Sequence, residues 1–277
     1  MRNQTSNNAL GKVYLVGAGP GAADLITVRG AKLLEKADIV FYDALVAAEM
    51  LALCPQAIQV PVGKRCGKLS SAQHFINKRL VDAAHKHQII VRLKGGDPML
   101  FGRADEEIQS LKAAGIAIEV VPGITAALAG AASIGQSLTL RGISRSVAFV
   151  TLAQGAENVT PGQPLANPSA DTLVYYMGRK DAARIAQQLI DQSPNHDAQT
   201  PVQILEAVST PNERQWSSSL KELALGKADS WFDNNSPALI MVGEALRKTE
   251  TQLERSGAEV DNGLQDRQIL ADSRRSA

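Results

Sequence analysis

The stretch VRLKGGDPMLFGR, Val91 to Arg103, finishes the β-branched run QIIVRL (Gln88 to Leu93) and breaks into paired glycines, an Asp–Pro step and a terminal arginine. Its first half has the length and flanks of a buried strand. Gly95 and Gly96 permit close backbone approach or a positive φ, and Asp97–Pro98 sets a turn behind them. Two other stretches have the same form. KVYLVGAGPGAADLIT (Lys12 to Thr27) is a strand opening into Gly17, Gly19 and Gly21, and IAIEVVPGITAA (Ile116 to Ala127) is a strand opening into Pro122–Gly123. Ligands of an open parallel sheet lie beyond the carboxyl ends of its strands. The three loops, with Asp43 at the end of ADIVFYD and with GKRCGK (Gly63 to Lys68), are therefore expected to meet in one crevice.

Outward from these loops, short apolar runs alternate with helical patterns. AIQVPV (Ala57 to Val62) reads as a further strand. SAQHFINKRLVDAAHKH (Ser71 to His87) reads as a helix capped by Ser70 or Ser71, with Phe75, Ile76, Leu80, Val81 and Ala84 on one face. RADEEIQSLKAAG reads as a helix with Ile108 and Leu111 inward, stopped by Gly115. This alternation predicts a mostly parallel sheet covered on both sides. A second set follows Arg141. SVAFVTL, DTLVYYM, TPVQILEAV and SPALIMVG read as strands, and DAARIAQQLIDQ as a helix with Ile185, Leu189 and Ile190 on one face. NERQWSSSLKEL reads as a strand running into a helix, which brings antiparallel pairing. The predicted class is α/β, with two α/β domains and a cleft between them, the first sheet mostly parallel and the second mixed. The predicted spans are 10–136 and 137–248, with a polar, aperiodic tail over 249–277. AQGAENVTPGQPLANPSAD (Ala153 to Asp171) reads as a polar loop rich in Pro and Gly.

The 277 residues are 44% hydrophobic and 21% charged, with a formal net charge of +1. That balance gives no bulk attraction to nucleic acid or to an anionic membrane. No apolar run approaches the roughly 18 residues of a membrane helix. Cys54 and Cys66 lack metal-ligand spacing, and the four histidines are scattered, so no metal is assigned. With no visible h-region, the compartment reads as cytoplasmic and reducing.

Gly17-x-Gly19-x-x-Ala22 also fits a loose dinucleotide fingerprint. Three features speak against that use. Such a loop opens directly into a helix, whereas AADLIT intervenes here and the best helix cap is Thr27. Asp43 ends the second strand, but 26 residues after Gly17 rather than about 20. Pro20 removes a phosphate-binding N–H.

VGAGPGAADLIT, FYDALV, VGKRCG, VRLKGGDPMLFGR, VVPGITAA, LVYYMG and PALIMVG, in this order from Val13 to about Arg247, resemble the tetrapyrrole methylases. GGDPMLFGR together with GKRCG carries most of the specificity. The resemblance implies transfer of two methyl groups from S-adenosylmethionine to carbons 2 and 7 of the tetrapyrrole uroporphyrinogen III, with S-adenosylhomocysteine as the other product, in a homodimer. It places the cofactor against Pro20, Gly95, Gly96, Asp97, Leu100, Thr125, Ala126, Met177, Val208 and Ala238. It places the substrate near Gly19, Gly21, Arg65 and Glu106, and acid–base roles at Asp43, Lys64 and Arg103. Lys64, Arg65, Lys68, Arg92, Lys94 and Arg103 are the cations expected to meet the substrate's carboxylates, with Glu106 orienting Arg103. Two alternatives remain at this level: methylation of another precorrin carbon, and a binding protein without turnover. The chain departs from the family pattern at Leu140, Leu152, Ala153 and Val208. Val208 stands where a glycine is usual, and is expected to crowd the adenosine.

Overall fold

The computed structural model describes residues 10–63, 69–151 and 168–247. Lys64, Arg65, Cys66, Lys68, Leu152, Ala153, most of the Ala153 to Asp171 loop and the tail from 249 lie outside the described residues.

The first sheet is built from β1 (Lys12–Gly17), β2 (Ile39–Tyr42), β3 (Ile58–Pro61), β4 (Ile89–Lys94) and β5 (Ile118–Val121), in the order β3-β2-β4-β1-β5. Every neighbouring pair is parallel. The inner strands are largely apolar on both sides, Arg92 and Lys94 of β4 excepted, because helices cover both faces. Val13, Leu15, Phe41 and Ile90 meet α3 (Leu69–Ala84) and α4 (Ala104–Ala113). Val16, Val40, Val91 and Leu93 meet α1 (Val28–Leu34) and α2 (Ala48–Leu51). Thr27 caps α1 as predicted, its Oγ1 accepting from the Gly30 amide at 3.1 Å. Before it comes a short 3₁₀ turn, Ala23–Leu25, so no helix begins at the glycine-rich loop itself.

Two details of α3 differ from the sequence reading. The helix begins at Leu69, so Ser70 and Ser71 fall inside its first turn rather than capping it. Phe75 is 56% exposed, while Gln73, Ile76, Leu80 and Ala83 face inward. Consecutive helical positions diverge by about 100°, so Phe75 cannot share the centre of a stripe with Ile76. Its ring lies under the Arg79 guanidinium, which also covers Phe41.

The second sheet holds β6 (Val147–Thr151), β7 (Thr172–Tyr176), β8 (Pro201–Glu206), β9 (Arg214–Ser219) and β10 (Ala238–Val242), in the order β6-β7-β10-β8-β9. β6 and β7 are parallel and the other pairs antiparallel, as NERQWSSSLKEL foretold. Leu173, Tyr175, Ile204 and Ile240 pack under α6 (Ala182–Gln192) and α7 (Leu220–Ala224). The intervening residues Val174, Leu205, Leu239 and Met241 point the other way, onto α5 (Ala126–Ser133). By its packing α5 belongs with the second sheet, although it follows the last strand of the first.

Candidate active site between the two sheets

The three glycine loops touch one another. A Cβ on Gly17 would stand 2.6 Å from Gly123, and one on Gly123 would stand 2.3 Å from the Gly96 carbonyl. Gly19 and Gly96 form a two-residue antiparallel bridge, with N–H···O distances of 3.2 and 2.7 Å. The missing side chains therefore serve close backbone packing, which side-chain-bearing residues would prevent. Asp97 locks the junction: Oδ1 accepts from the Met99 amide at 2.7 Å and Oδ2 from the Gly123 amide at 2.9 Å. Each oxygen keeps a lone pair for a ligand hydroxyl.

The turn after β8 of the second sheet closes over this junction. The Ala22 amide donates to Ser209 Oγ at 3.2 Å, and a Cβ on Gly21 would meet Thr210 Cγ2 at 2.6 Å. Gly21 is covered by these residues and Gly19 by Leu25, while Pro20 between them is partly open. The Tyr176 hydroxyl accepts from the Ala127 amide at 3.1 Å and shares a 2.6 Å hydrogen bond with Thr125 Oγ1 at the start of α5. Its ring meets Phe101 edge to face at 5.2 Å between centroids. Phe101, Arg103, Met177, Ala207 and Ser209 are the non-glycine residues with positive φ among those described. All five lie on loops around this cleft, and such backbone strain gathers at functional sites.

The charges are arranged differently from the expectation. Arg92 and Lys94 are 2% and 3% exposed and turn inward, not toward a ligand. Both bind Glu107, which is fully buried: Arg92 Nε lies 3.1 Å from Oε1, and Lys94 Nζ 3.2 and 3.1 Å from the two oxygens. Burial and the neighbouring Arg92 push the Lys94 ammonium below the usual lysine range, while Glu107 and Asp43 oppose the shift. Arg92 Nη2 reaches Asp43 Oδ1 at 2.5 Å. Arg103 stays at the surface in a bidentate pair with Glu106, at 2.6 and 2.7 Å, as anticipated. Lys64 and Arg65 lie outside the described residues.

The sequence pattern of the Tetrapyrrole (Corrin/Porphyrin) Methylases matches residues 12–224, the whole first sheet and the second as far as α7, short of β10. This chain belongs to that family. The siroheme synthase of Psychrobacter sp. (strain PRwf-1) is 42% identical over 247 residues, and that of Pseudomonas fluorescens (strain SBW25) 44% over 241. These alignments take in 88% and 86% of the chain but only 50% and 51% of the relatives, so the chain spans about half their length. Among solved structures, the uroporphyrin-III C-methyl transferase of Thermus thermophilus complexed with S-adenyl homocysteine is 38% identical. Its TM-score is 0.73, over 87% of this chain and 97% of that one. A cobalt precorrin-4 methyltransferase is 28% identical with a TM-score of 0.69.

In this tetrapyrrole methylase the remaining predicted contacts are distributed as follows. Gly95, Gly96, Asp97, Leu100, Ala126 and Ala238 are partly open, Met177 is 55% exposed and Thr125 is buried. No protein atom lies within 4 Å of where a Gly96 Cβ would stand, so the loop leaves room beside its backbone. Val208, expected to crowd the adenosine, turns its side chain into the core. Its side chain is 5% exposed and packs with Ala127, Leu205, Leu239 and Met241. Positive φ at Ala207 and Ser209 turns the chain so that Val208 faces α5, where Gly130 makes room. Sequence reasoning also missed Glu107 and Tyr176. For Glu107 a signal existed, since it lies three after Ala104 and four before Leu111, on the buried stripe of α4.

Proposed function

We propose that this chain is an S-adenosylmethionine-dependent methyltransferase that methylates uroporphyrinogen III at carbons 2 and 7 to give precorrin-2. The observation that carries the reading is the junction of Gly17, Gly96 and Gly123, locked by Asp97 and roofed by the second sheet. The likeness to the Thermus thermophilus enzyme, over nearly its whole length, supports it.

The open backbone at Gly95–Gly96 and the apolar edges of Pro20, Leu100, Ala126 and Ala238 fit a nucleoside carrying an amino-acid tail. The free lone pairs of Asp97 suit ribose hydroxyls. Bound S-adenosylmethionine supplies a methyl group already activated on sulfonium. The protein's part is alignment and exclusion of water. Carbon methylation leaves a proton to remove. Asp43, ending β2 with its side chain 30% exposed, is assigned as the acceptor. Arg103 at the rim, held by Glu106, orients the substrate's carboxylates, with Lys64 and Arg65 assigned to the same task. The reading includes a homodimer, with the apolar groove lined by Leu128, Leu138, Val147 and Phe149 as its contact face. Light scattering that gives the mass of a single chain at micromolar concentration ends that part.

Incubation with uroporphyrinogen III and S-adenosylmethionine, followed by mass spectrometry, tests the reaction. The expected product carries two added methyl groups. Recovery of unmodified substrate, with the protein folded and binding S-adenosylhomocysteine, rejects the assignment in favour of another precorrin or of binding without turnover.

A further inference from the structure

The side chains behind Asp43 form a group that the methyl transfer itself does not use. Arg92 projects from β4, and all three of its nitrogens are engaged. Nη2 donates to Asp43 at 2.5 Å, Nε to Glu107 at 3.1 Å and Nη1 to the Leu93 carbonyl at 3.1 Å. A planar guanidinium held at three points cannot turn without breaking a bond. Glu107 is held in turn by Lys94 and by Gln73 Nε2 at 3.3 Å. Two cations and two carboxylates balance. Three of the four are buried, and only Asp43 reaches the cleft, its side chain 30% exposed against 2% for Arg92 and 0% for Glu107.

A buried ionic cluster is a weak source of stability, and apolar side chains of similar volume serve a core as well or better. Its neighbours on β4, Ile90, Val91 and Leu93, are of that apolar kind. The cluster makes sense through its one exposed end. A carboxylate that must receive a proton from carbon needs a fixed position, and the rotation of a short aspartate side chain opposes that.

We propose that Arg92 is a positioning residue for the reaction: it fixes the Asp43 carboxylate in the cleft, with Glu107 as the buried anchor that holds Arg92 in place. The inference rests on the reading of Asp43 as proton acceptor. It predicts that the fork geometry of Arg92 matters as well as its charge.

The test is a double-mutant cycle on the full chain, with Arg92→Lys, Asp43→Asn and the double variant assayed with uroporphyrinogen III and S-adenosylmethionine. Arg92→Lys keeps a cation beside Glu107 and loses the fork. It is expected to lower kcat about 10- to 100-fold, the scale of a misplaced reacting group. KM for uroporphyrinogen III and the Kd for S-adenosylhomocysteine should stay within a few-fold of the parent. The double variant should be no slower than Asp43→Asn alone. Wild-type kcat in Arg92→Lys beside an impaired Asp43→Asn overturns the proposal and leaves the reading of Asp43 standing. So does a double variant that loses the Arg92→Lys factor in full on top of Asp43→Asn. Wild-type turnover in Asp43→Asn overturns the reading of Asp43 and the proposal with it. Should Arg92→Lys not fold, Glu107→Gln takes its place in the same cycle, with the same non-additivity expected and the same full additivity overturning the proposal.

Discussion

At Val208 the chain looks, by pattern, as though it has lost a cofactor contact, and in three dimensions it has gained a core residue. The isopropyl group packs with Leu205, Leu239 and Met241 beneath α5, and the backbone carbonyl alone faces Gly21. Val208→Gly is therefore expected to destabilise the protein by about 2–4 kcal/mol, from lost burial plus added freedom of the unfolded chain. S-adenosylhomocysteine affinity in the folded variant should change little. Chemical denaturation beside calorimetry checks both. A stability loss under about 0.5 kcal/mol, the size of an ordinary surface change, would show that the side chain is not core. Tyr176 works at the same scale: one hydroxyl caps the start of α5 while the ring meets Phe101, so a single residue of the second sheet ties together loops from both.

Among the elements, the strand-end loops depend on one another more than on their own helices. Gly123 has no φ that demands glycine; what excludes a side chain is the Gly96 carbonyl, 2.3 Å from where the Cβ would stand. Gly123→Ala should push the loops of β4 and β5 apart and break the Asp97 Oδ2 bond to the 123 amide. The expected result is weaker S-adenosylhomocysteine binding by about tenfold or more, the equivalent of one charge-assisted hydrogen bond, with a lower Tm. By contrast, Gly96→Ala meets open space but sits at φ +68, so its cost is backbone strain of about 1 kcal/mol. Calorimetry on the two variants separates crowding from strain, and equal affinity in Gly123→Ala and the parent would refute the packing account. The α3 helix carries the same lesson in smaller form: its apolar face was legible, but Phe75, about 100° round from Ile76, went to the surface while Gln73 turned inward toward Glu107.

Over the whole molecule, a pH-dependent contribution to stability lies far from the cleft. His196 is 5% exposed, between the end of α6 and the start of β7, with Nδ1 against Ser193 Oγ and Nε2 against the Asp171 carbonyl. Burial lowers its pKa, and the Asp171 carbonyl and nearby carboxylates only partly offset that. A lowered histidine pKa means that the unfolded chain binds the proton more readily. Stability is then complete above the ordinary value of about 6.5 and falls as pH drops below it. His196→Asn is expected to flatten the dependence of Tm on pH between about 7 and 5. Parallel slopes in variant and parent would remove His196 as the cause. Among the described residues no helix is long and apolar enough to cross a membrane, and none group into a cluster of three or more metal ligands.

What the sequence determined by itself was the set of elements and the chemistry of the loops. Strand-length apolar runs, the Thr27 cap, the Gly115 stop and the Arg103–Glu106 spacing are local features, set by backbone geometry and by neighbours within a turn, and each is found where it was read. Only the tertiary structure decided which way the long polar side chains of β4 turn. Arg92 and Lys94 share one face of a strand covered on both sides, and their partner Glu107 comes from the helix after the glycine loop, 15 and 13 residues on. Nothing local distinguishes a cation bound for a ligand from one bound for a buried carboxylate. The same holds for α5, which a chain reading joins to the first domain and which packs beneath the second sheet. Its small residues, Ala127, Gly130 and Ala131, suit any close-packed face, and the sheet that covers them is formed by strands still to come in the chain.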